Sequence, residues 1–230
     1  MPLHRQASWI VLSLILCSVL AALPEHCFMN DNVASEILSD NPSGYYRFNE
    51  DVHSQGLRNF ADTGSSADGI YIGEPLLRQP GSIPPPSVPD PAVRFNANFL
   101  IDLVRTGERA VIPHVESQHQ DDFAIELWTQ PDTLTFKRVM FSSLVGSTGV
   151  EISISLLETY TCEIGTDQGT EFVTGPLTHA SVQGFWSHIV CTYNSATKEL
   201  ILYGDGTVID GITISGNYLP NPDSLTVIAA

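Results

Sequence analysis

Alternation of apolar and polar residues is the main signal in this chain, and it is clearest in two adjacent segments. From Trp186 to Tyr193 the β-branched and aromatic residues sort by parity onto two sides, which predicts a β-strand. Asn194 to Thr197 then predicts a reverse turn, and Lys198 to Tyr203 predicts a second strand. Gly204 and Gly206 supply the positive backbone angles that a second short turn requires. Together these segments are typical of a sheet protein.

Two further segments alternate strongly. Phe123 to Thr129 places its large aliphatic residues on one side, but Trp128 lies on the other side and breaks the pattern. We expect either that this strand is covered on both faces near its end or that a bulge re-aims the indole. Val150 to Leu156 alternates most cleanly, and we expect its polar side to face water.

Shorter signals fill the rest of the chain. Residues 33–38 predict a short helical lead-in that stops before a proline. The proline-rich segment from Gln79 to Pro91 predicts a stiff crossing over the surface. Further short strands are predicted at Tyr45–Asn49, Ile70–Ile72, Ala92–Phe95 and Asn98–Val104. Many short strands separated by turn signals indicate an all-β fold with two antiparallel sheets packed as a sandwich.

The first residues have the three-part pattern of a secretory signal peptide. His4 and Arg5 precede an apolar run from Trp9 to Leu20, and small residues follow it. The run is shorter than the roughly 20 residues of a membrane-spanning helix, and Pro24 follows closely. We therefore expect residues 1–22 to be removed, no membrane span to remain, and the protein to be secreted or held at the cell surface.

The charge of the chain argues against nucleic acid as a partner. The chain has 26 acidic and 10 basic residues, a net charge of −16, and loss of the signal peptide moves this to about −17. Phosphate groups are bound by Lys and Arg, so an acidic surface repels nucleic acid. Neutral ligands or cations fit better, and solubility outside the cell is the simpler explanation of the charge.

Three of the four cysteines lie outside the predicted signal peptide, which contains Cys17. Cys27, Cys162 and Cys191 are an odd number and cannot all pair. Export permits a Cys162–Cys191 disulfide, because both residues lie in predicted neighbouring strands. A bridge to Cys27 and buried thiols are the alternatives, and the sequence leaves them open.

Several segments occur in a characteristic order. They are VASEILSDNPSGYYRFNE, FADTGSSADGIYIG, FAIELWTQPDTL and FWSHIVCTYNSATKELILYGDGTVIDG. This order resembles the laminin-G-like, concanavalin A-like jelly-roll domain of bacterial extracellular proteins. The resemblance implies an antiparallel jelly roll over residues 28–230, with the first segment as its lead-in helix and first strand. It also implies one more closing strand after residues 225–230, so we expect the domain to be incomplete at its C-terminal end.

The sequence offers little catalytic chemistry. Glycoside hydrolases of this architecture set carboxylates at alternate positions of one strand, and the chain has no such run. Glu163, Asp167 and Glu171 are spaced by four and interrupted by glycines, which predicts a solvated hairpin. His188 and Cys191 point to opposite faces of one strand, so we expect a core cysteine beside a hydrogen-bonded histidine and not a nucleophilic dyad. We predict no catalytic residue.

Two segments contain residue types that bind metals. His114 to Asp122 holds two histidines five residues apart in a predicted loop, which favours a solvated surface over zinc. The family resemblance implies a structural calcium in the loop that contains Asp62, the one position that can be carried over. An Asx-turn is the alternative role for Asp62, because the second acidic ligand of the family lies in the closing strand.

The resemblance implies a non-catalytic binding or adhesion module. Its partner would be a carbohydrate or another extracellular protein, contacted through loops at one edge of the sandwich. Two alternatives stay open: a glycan-cleaving enzyme or its accessory domain, and a structural spacer in a cell-surface protein. The sequence does not identify the ligand-binding residues.

Overall fold

The structure is a computed structural model that describes residues 8–12, 32–61, 65–81, 91–95, 107–131, 137–176 and 184–228. Its strands form a six-stranded sheet, a seven-stranded sheet and a two-stranded ribbon. The predicted all-β, two-sheet sandwich is confirmed. The short helical lead-in is confirmed as well, and it is one residue longer at each end than predicted.

The elements follow one another along the chain in a fixed order. They are β1 (Ser8–Leu12), α1 (Asn32–Ser39), β2 (Gly44–Tyr46), β3 (Ile70–Ile72), β4 (Leu76–Pro80), β5 (Pro91–Arg94), β6 (Arg109–Ile112), β7 (Phe123–Thr129), β8 (Arg138–Ser142), β9 (Val150–Ile154), β10 (Thr159–Thr166), β11 (Gly169–Pro176), β12 (Ser187–Asn194), β13 (Glu199–Gly204), β14 (Thr207–Thr213) and β15 (Thr226–Ile228).

The order of the strands explains how the sheets are built. The six-stranded sheet runs β14-β13-β12-β7-β1-β2, and the seven-stranded sheet runs β11-β10-β9-β8-β15-β6-β3. Strands β4 and β5 form the ribbon. Two ladders among the described strands are parallel, and both involve β1, which pairs with β2 on one side and with β7 on the other. Every other described ladder is antiparallel, as expected for a sandwich.

The hydrophobic core lies between the two sheets. Alternate apolar residues from strands of both sheets enter it, for example Ile125 and Leu202 from the six-stranded sheet and Ile152 from the seven-stranded sheet. Cys162 in β10 and Cys191 in β12 are joined by a disulfide and are fully buried. Their strands belong to different sheets and face each other across the core, so they are not neighbours within one sheet. The disulfide therefore ties the two layers together.

The predicted hairpins of the C-terminal half are present in the structure. Strands β12 and β13 pair in continuous register from Ile189 to Asn194. Asp205 and Gly206 both have positive φ, 49° and 77°, and connect β13 to β14. This is the conformation of a two-residue hairpin turn, which glycine adopts without strain.

Two local predictions need correction. Ser153 lies on the polar side of β9, which we expected to face water, but it is only 2% exposed. Its neighbours opposite are Val139 in β8 and Thr161 in β10, both larger than serine, so this small residue lies between two bulkier positions. The strand predicted from Tyr45 to Asn49 ends at Tyr46, because Phe48 has a φ of 55°, which no strand accommodates.

Several predictions concern parts of the chain that the structure describes incompletely. Residues 98–104 and most of the proline-rich segment lie outside the described residues. Within the predicted signal peptide only β1 is described, and removal of that peptide stays a prediction, as do the domain bounds. None of the helices in the described ranges is both long and apolar enough to cross a membrane.

Candidate functional site

A polar and aromatic cluster lies on the outer face of the six-stranded sheet, the side opposite the core. Glu126 and Trp128 have the same parity in β7, and the register places Trp128 directly opposite His188 of β12. Glu126 lies diagonally across from His188, within reach of its ring. These three residues form the outer-face cluster. No bulge interrupts the β7–β12 ladder, so the indole of Trp128 faces outward. The strand is buried on both faces from Phe123 to Leu127, but it is only half-buried at its end, at Trp128 and Thr129.

The acid and the imidazole of the cluster form a buried pair. Glu126 and His188 are only 6% and 7% exposed, and His188 Nε2 donates a hydrogen bond to Glu126 Oε1. A buried carboxylate is stable only with such a partner. The sequence predicted a hydrogen-bonded histidine at this position, and the structure identifies Glu126 as its acceptor.

The backbone of His188 is fixed as well. Its N–H donates to Asp205 Oδ1 at 2.9 Å, and the N–H of Asp205 donates back to the carbonyl of His188 at 2.8 Å. The β13–β14 turn therefore clamps the start of β12. As a result, the imidazole has little freedom to turn away from Glu126.

The indole of Trp128 completes the cluster. Its ring stacks on that of His188 with centroids 4.9 Å apart and an angle of 24° between the planes. The indole is half-buried, and its Nε1 atom is itself buried and has no hydrogen-bond partner in the described part of the molecule. An unsatisfied buried donor is unusual in a protein and requires an explanation, such as a ligand or an ordered water. An aromatic ring with a donor at its edge is suited to the apolar face and hydroxyl groups of a sugar.

The pair His188 and Cys191 does not form a reactive dyad. His188 lies on the outer face, whereas Cys191 points into the core and is bonded to Cys162. The thiolate that a nucleophilic cysteine needs is therefore absent from this position.

Two of the three acids spaced by four residues, Asp167 and Glu171, hold neighbouring backbone in this structure. Glu163 and Glu171 lie in β10 and β11, and Asp167 lies in the turn between them, which confirms the predicted hairpin. Asp167 accepts hydrogen bonds from the N–H and side-chain amide of Asn217, and these lower its pKa. Partial burial raises the pKa of Glu171, but hydrogen bonds from Gly216 and Ser215 bring it below its usual value. Both acids thus hold the segment after β14.

The segment from His114 to Asp122 crosses between the two sheets. The rings of His114 and His119 stack with centroids 4.4 Å apart. Burial, and then the neighbouring His114, lower the pKa of His119 to about 4. Asp122 accepts a hydrogen bond from the N–H of Ser195 at 2.5 Å, so it is used structurally. In the described ranges, no group of three or more His, Cys, Asp or Glu side chains is placed to hold a metal ion.

The calcium prediction cannot be placed on the structure, because Asp62 lies outside the described residues. Its neighbourhood is described on both sides. The N–H of Asn59 donates to Asp68 Oδ1 at 2.8 Å, and Asn59 Oδ1 accepts from the N–H groups of Tyr45 and Ala61. Asn59 and Asp68 thus already brace the two ends of this loop.

Comparison with known proteins identifies the fold family. A family model described as the concanavalin A-like lectin/glucanases superfamily, of the laminin-G type, matches residues 105–230. The chain belongs to this superfamily. The matched residues contain all of the outer-face cluster. No curated protein sequence matches the chain significantly.

Solved structures support the same fold for this superfamily member. One is a botulinum neurotoxin type C structure, whose title links cell entry to two ganglioside molecules (TM-score 0.59, 13% identity, 85% of this chain and 44% of that one). Another is the binding domain of botulinum neurotoxin DC in complex with rat synaptotagmin II (TM-score 0.57, 13% identity, 83% and 44%). The present chain spans less than half of these solved chains. At this identity the likeness shows the fold alone.

For this concanavalin A-like domain, sequence reasoning missed Glu126 as part of a site. The alternation placed Glu126 and Trp128 on one side of β7, and it placed His188 on one side of β12. What was lacking was the pairing of the two strands, which are about 60 residues apart in the chain. The break in pattern at Trp128 was the one available signal for this position.

Proposed function

We propose that this chain is an exported, non-catalytic binding module that recognises neutral carbohydrate through the outer-face cluster. The carrying observation is the unpartnered indole N–H of Trp128 beside the buried Glu126–His188 pair. The half-buried indole, held on a rigid sheet, offers an aromatic surface, and its buried Nε1–H would reach a ligand once the atoms that cover it move.

The charge of the chain narrows the ligand class. A net charge of −16 disfavours polyanionic glycans, because like charges repel before contact. Neutral hexose polymers carry apolar ring faces and many hydroxyl groups, and both match the indole and its donor. The titles of the two solved structures with a similar fold name a binding domain and an interaction with gangliosides, which agrees with a role in recognition.

The non-catalytic part of the proposal is supported by how the nearest acids are used. Glu126 is committed to His188, and Asp205 is committed to the backbone of His188. Glycoside hydrolysis needs two carboxyl groups about 5 to 9.5 Å apart that are free to act on one bond. Neither Glu126 nor Asp205 is free to act as an acid, base or nucleophile on a glycosidic bond.

An array of neutral polysaccharides with a parallel reducing-sugar assay tests this function. We expect the wild-type chain to bind at least one polysaccharide without releasing reducing sugar. Trp128→Ala should weaken that binding by roughly fivefold, since a stacked aromatic contributes about 1 kcal/mol. The matched control is Phe172→Ala in β11, an exposed aromatic of the other sheet, which should bind as the wild type does.

Three results would contradict the proposal. Release of reducing sugar would favour the glycan-cleaving enzyme. Binding to no polysaccharide would favour a structural spacer or a protein partner. Equal loss of binding in Trp128→Ala and Phe172→Ala would place the site elsewhere on the molecule.

A structural calcium at the loop containing Asp62 is a separate part of the proposal. Hard oxygen ligands from loops suit calcium in sandwich domains. If calcium binds the folded state, a chelator should lower the midpoint of thermal unfolding by several degrees, and excess calcium should restore it. Asp62→Asn should reduce the response to calcium. An unchanged midpoint with chelator would leave Asp62 with the Asx-turn role.

A further inference from the structure

Two arginines face each other beside β2, at one edge of the six-stranded sheet. Tyr46, the last residue of β2, forms an antiparallel bridge with Asn59. In such a bridge the residue after one partner lies opposite the residue before the other, so Arg47 lies opposite Arg58. Like charges in directly opposite positions are destabilising, so an anion between them would be stabilising. Arg47 and Arg58 form the arginine pair.

The ring of Phe60 brings the two guanidinium groups together. The Cζ atoms of Arg58 and Arg47 lie 5.0 Å and 6.0 Å from the centre of this ring, within the range of cation–π contacts. Phe60 itself packs against Tyr45, with ring centroids 6.1 Å apart, and against a small apolar cluster. The ring is therefore fixed by packing, and it positions both guanidinium groups.

The acids nearest to the arginine pair in the chain are used by other groups. Glu50 is only 6% exposed, and its carboxylate accepts hydrogen bonds from the backbone N–H of Arg58 and the hydroxyl of Tyr71. Asp51 forms an ion pair with Arg78. Neither carboxylate is therefore available to neutralise the arginine pair.

The arginine pair is open to an anion from solution. Within the ranges that the structure describes, no carboxylate forms an ion pair with the guanidinium group of Arg47 or Arg58. Arg58 is exposed and Arg47 is half-buried. Two adjacent positive charges without an acid are notable in a chain whose net charge is −16. The arrangement is typical of a site that binds an anionic group.

The arginine pair lies on the same side of the six-stranded sheet as the outer-face cluster. Tyr46 and Leu127 both point into the core, so the residues that follow them point outward. Both also align with Leu12 of β1, and they therefore lie at the same level along the strands. One strand separates β2 from β7, which places the two strands roughly 10 Å apart. A short oligosaccharide can reach from Trp128 to the arginine pair.

We propose that the arginine pair is a carboxylate subsite, and that the glycan bound by this module carries one uronic acid residue in an otherwise neutral chain. The inference rests on the proposed function for the class of ligand and adds one charged position to it. A guanidinium group presents its N–H donors in a planar fork that matches the two oxygens of a carboxylate. The net charge of −16 still disfavours glycans with many acidic groups, because the molecule as a whole repels each added charge.

Ligand-observed NMR titration of the full-length chain tests the subsite. The probes are methyl glucuronide and methyl galacturonide, each compared with its neutral parent glycoside. EDTA is present so that calcium cannot bridge a carboxylate to the protein. We expect at least one uronide to bind the wild type about tenfold more tightly than its parent, because the carboxylate adds charge-assisted hydrogen bonds.

Variants of the arginine pair locate the binding. Arg47→Gln and Arg58→Gln should each remove most of the difference between uronide and parent. The matched control is Arg138→Gln in β8, which removes one half-buried positive charge from the other sheet and should bind as the wild type does. Arg58→Glu gives Arg47 a carboxylate from within the chain, so it should abolish uronide binding. Arg58 is exposed, so its variants should keep the fold, which circular dichroism checks.

Several outcomes would overturn the inference. One is equal binding of uronides and their parents, and another is an equal loss in Arg58→Gln and Arg138→Gln. Uronide binding that survives in Arg58→Glu would also exclude this site. Acetate or N-acetylglutamate binding as tightly as the uronides would show an anion site without a role for the sugar.

Trp128→Ala separates this inference from the proposed function. The uronide preference should persist in Trp128→Ala, because a single sugar residue needs only the arginine pair, whereas binding of neutral polysaccharide should weaken. Failure of the polysaccharide array would therefore leave the uronide result intact. A preference that is lost in Trp128→Ala and kept in Arg58→Gln would place the carboxylate at the outer-face cluster and overturn the inference.

Discussion

The two faces of the six-stranded sheet are built on different principles. The inner face presents Ile125, Ile189 and Leu202, which are buried and apolar, and it is stabilised by removal of that surface from water. The outer face buries Glu126 and His188 almost as deeply, although both are polar. Burial of such a pair costs desolvation energy that its hydrogen bond only offsets. The inner face therefore explains stability, and the outer face requires a different explanation, for which recognition of a ligand is our proposal.

The largest effect is expected on the inner face. Leu202→Ala should lower the free energy of unfolding by about 4 kcal/mol, because it removes a fully buried side chain and leaves a cavity. Urea unfolding followed by tryptophan fluorescence measures it. Val208→Ala in the neighbouring strand β14 is the control, and its exposed side chain should change stability by less than about 0.5 kcal/mol. Equal effects in the two variants would mean that the inner face is not the core.

A smaller effect is expected when the outer pair is broken. Glu126→Ala should cost about 3 kcal/mol, since it leaves the buried imidazole without its acceptor. The double replacement Glu126→Leu with His188→Leu should recover most of that loss, because two apolar side chains suit a buried site. Urea unfolding of the single and double variants measures both. If the double variant is as unstable as Glu126→Ala, the Glu126–His188 pair stabilises the fold. The outer face would then contribute to stability as the inner face does.

The smallest effect is expected in the pH dependence of stability, and it concerns His119, which lies outside both faces of the six-stranded sheet. The pKa of His119 is about 4 in the fold, below its unfolded value of about 6.5, so the unfolded chain binds the proton more readily. Its contribution to stability is present above pH 6.5 and is lost as the pH falls from 6.5 toward 4. His119→Phe should flatten the pH dependence of the urea midpoint in this window.

The acids held by hydrogen bonds provide the background for that pH measurement. The lowered pKa values of Asp167 and Glu171 also reduce stability at acid pH, but equally in the wild type and in His119→Phe. The difference between the two proteins therefore reports His119. Parallel curves for both proteins would show that His119 does not titrate in this window.

The sequence predicted the local parts of this fold well, for a physical reason. Strand β7 and the β12–β13 and β13–β14 hairpins depend on alternation and on turn residues such as Asp205 and Gly206 between β13 and β14, which act over a few positions. Burial of Ser153 was mispredicted, because a small polar residue can be covered by larger neighbours on adjacent strands. Alternation within one strand carries no information about those neighbours.

The candidate site was much harder to predict. The sequence indicated that Trp128 was exceptional and that His188 and Cys191 point to opposite faces. It could not bring Glu126 to His188, since their contact depends on pairing of strands about 60 residues apart. The calcium prediction at Asp62 came from family resemblance alone, and no described contact bears on it.

The bond between Cys162 and Cys191 has a practical consequence for anyone who prepares this protein. In material produced in a reducing cytoplasm these two cysteines would be free thiols, and the opposing layers would be held by side-chain packing only. Production through an oxidising secretory route would give the cross-linked species. The route of expression is therefore a variable to be fixed before any two preparations are compared.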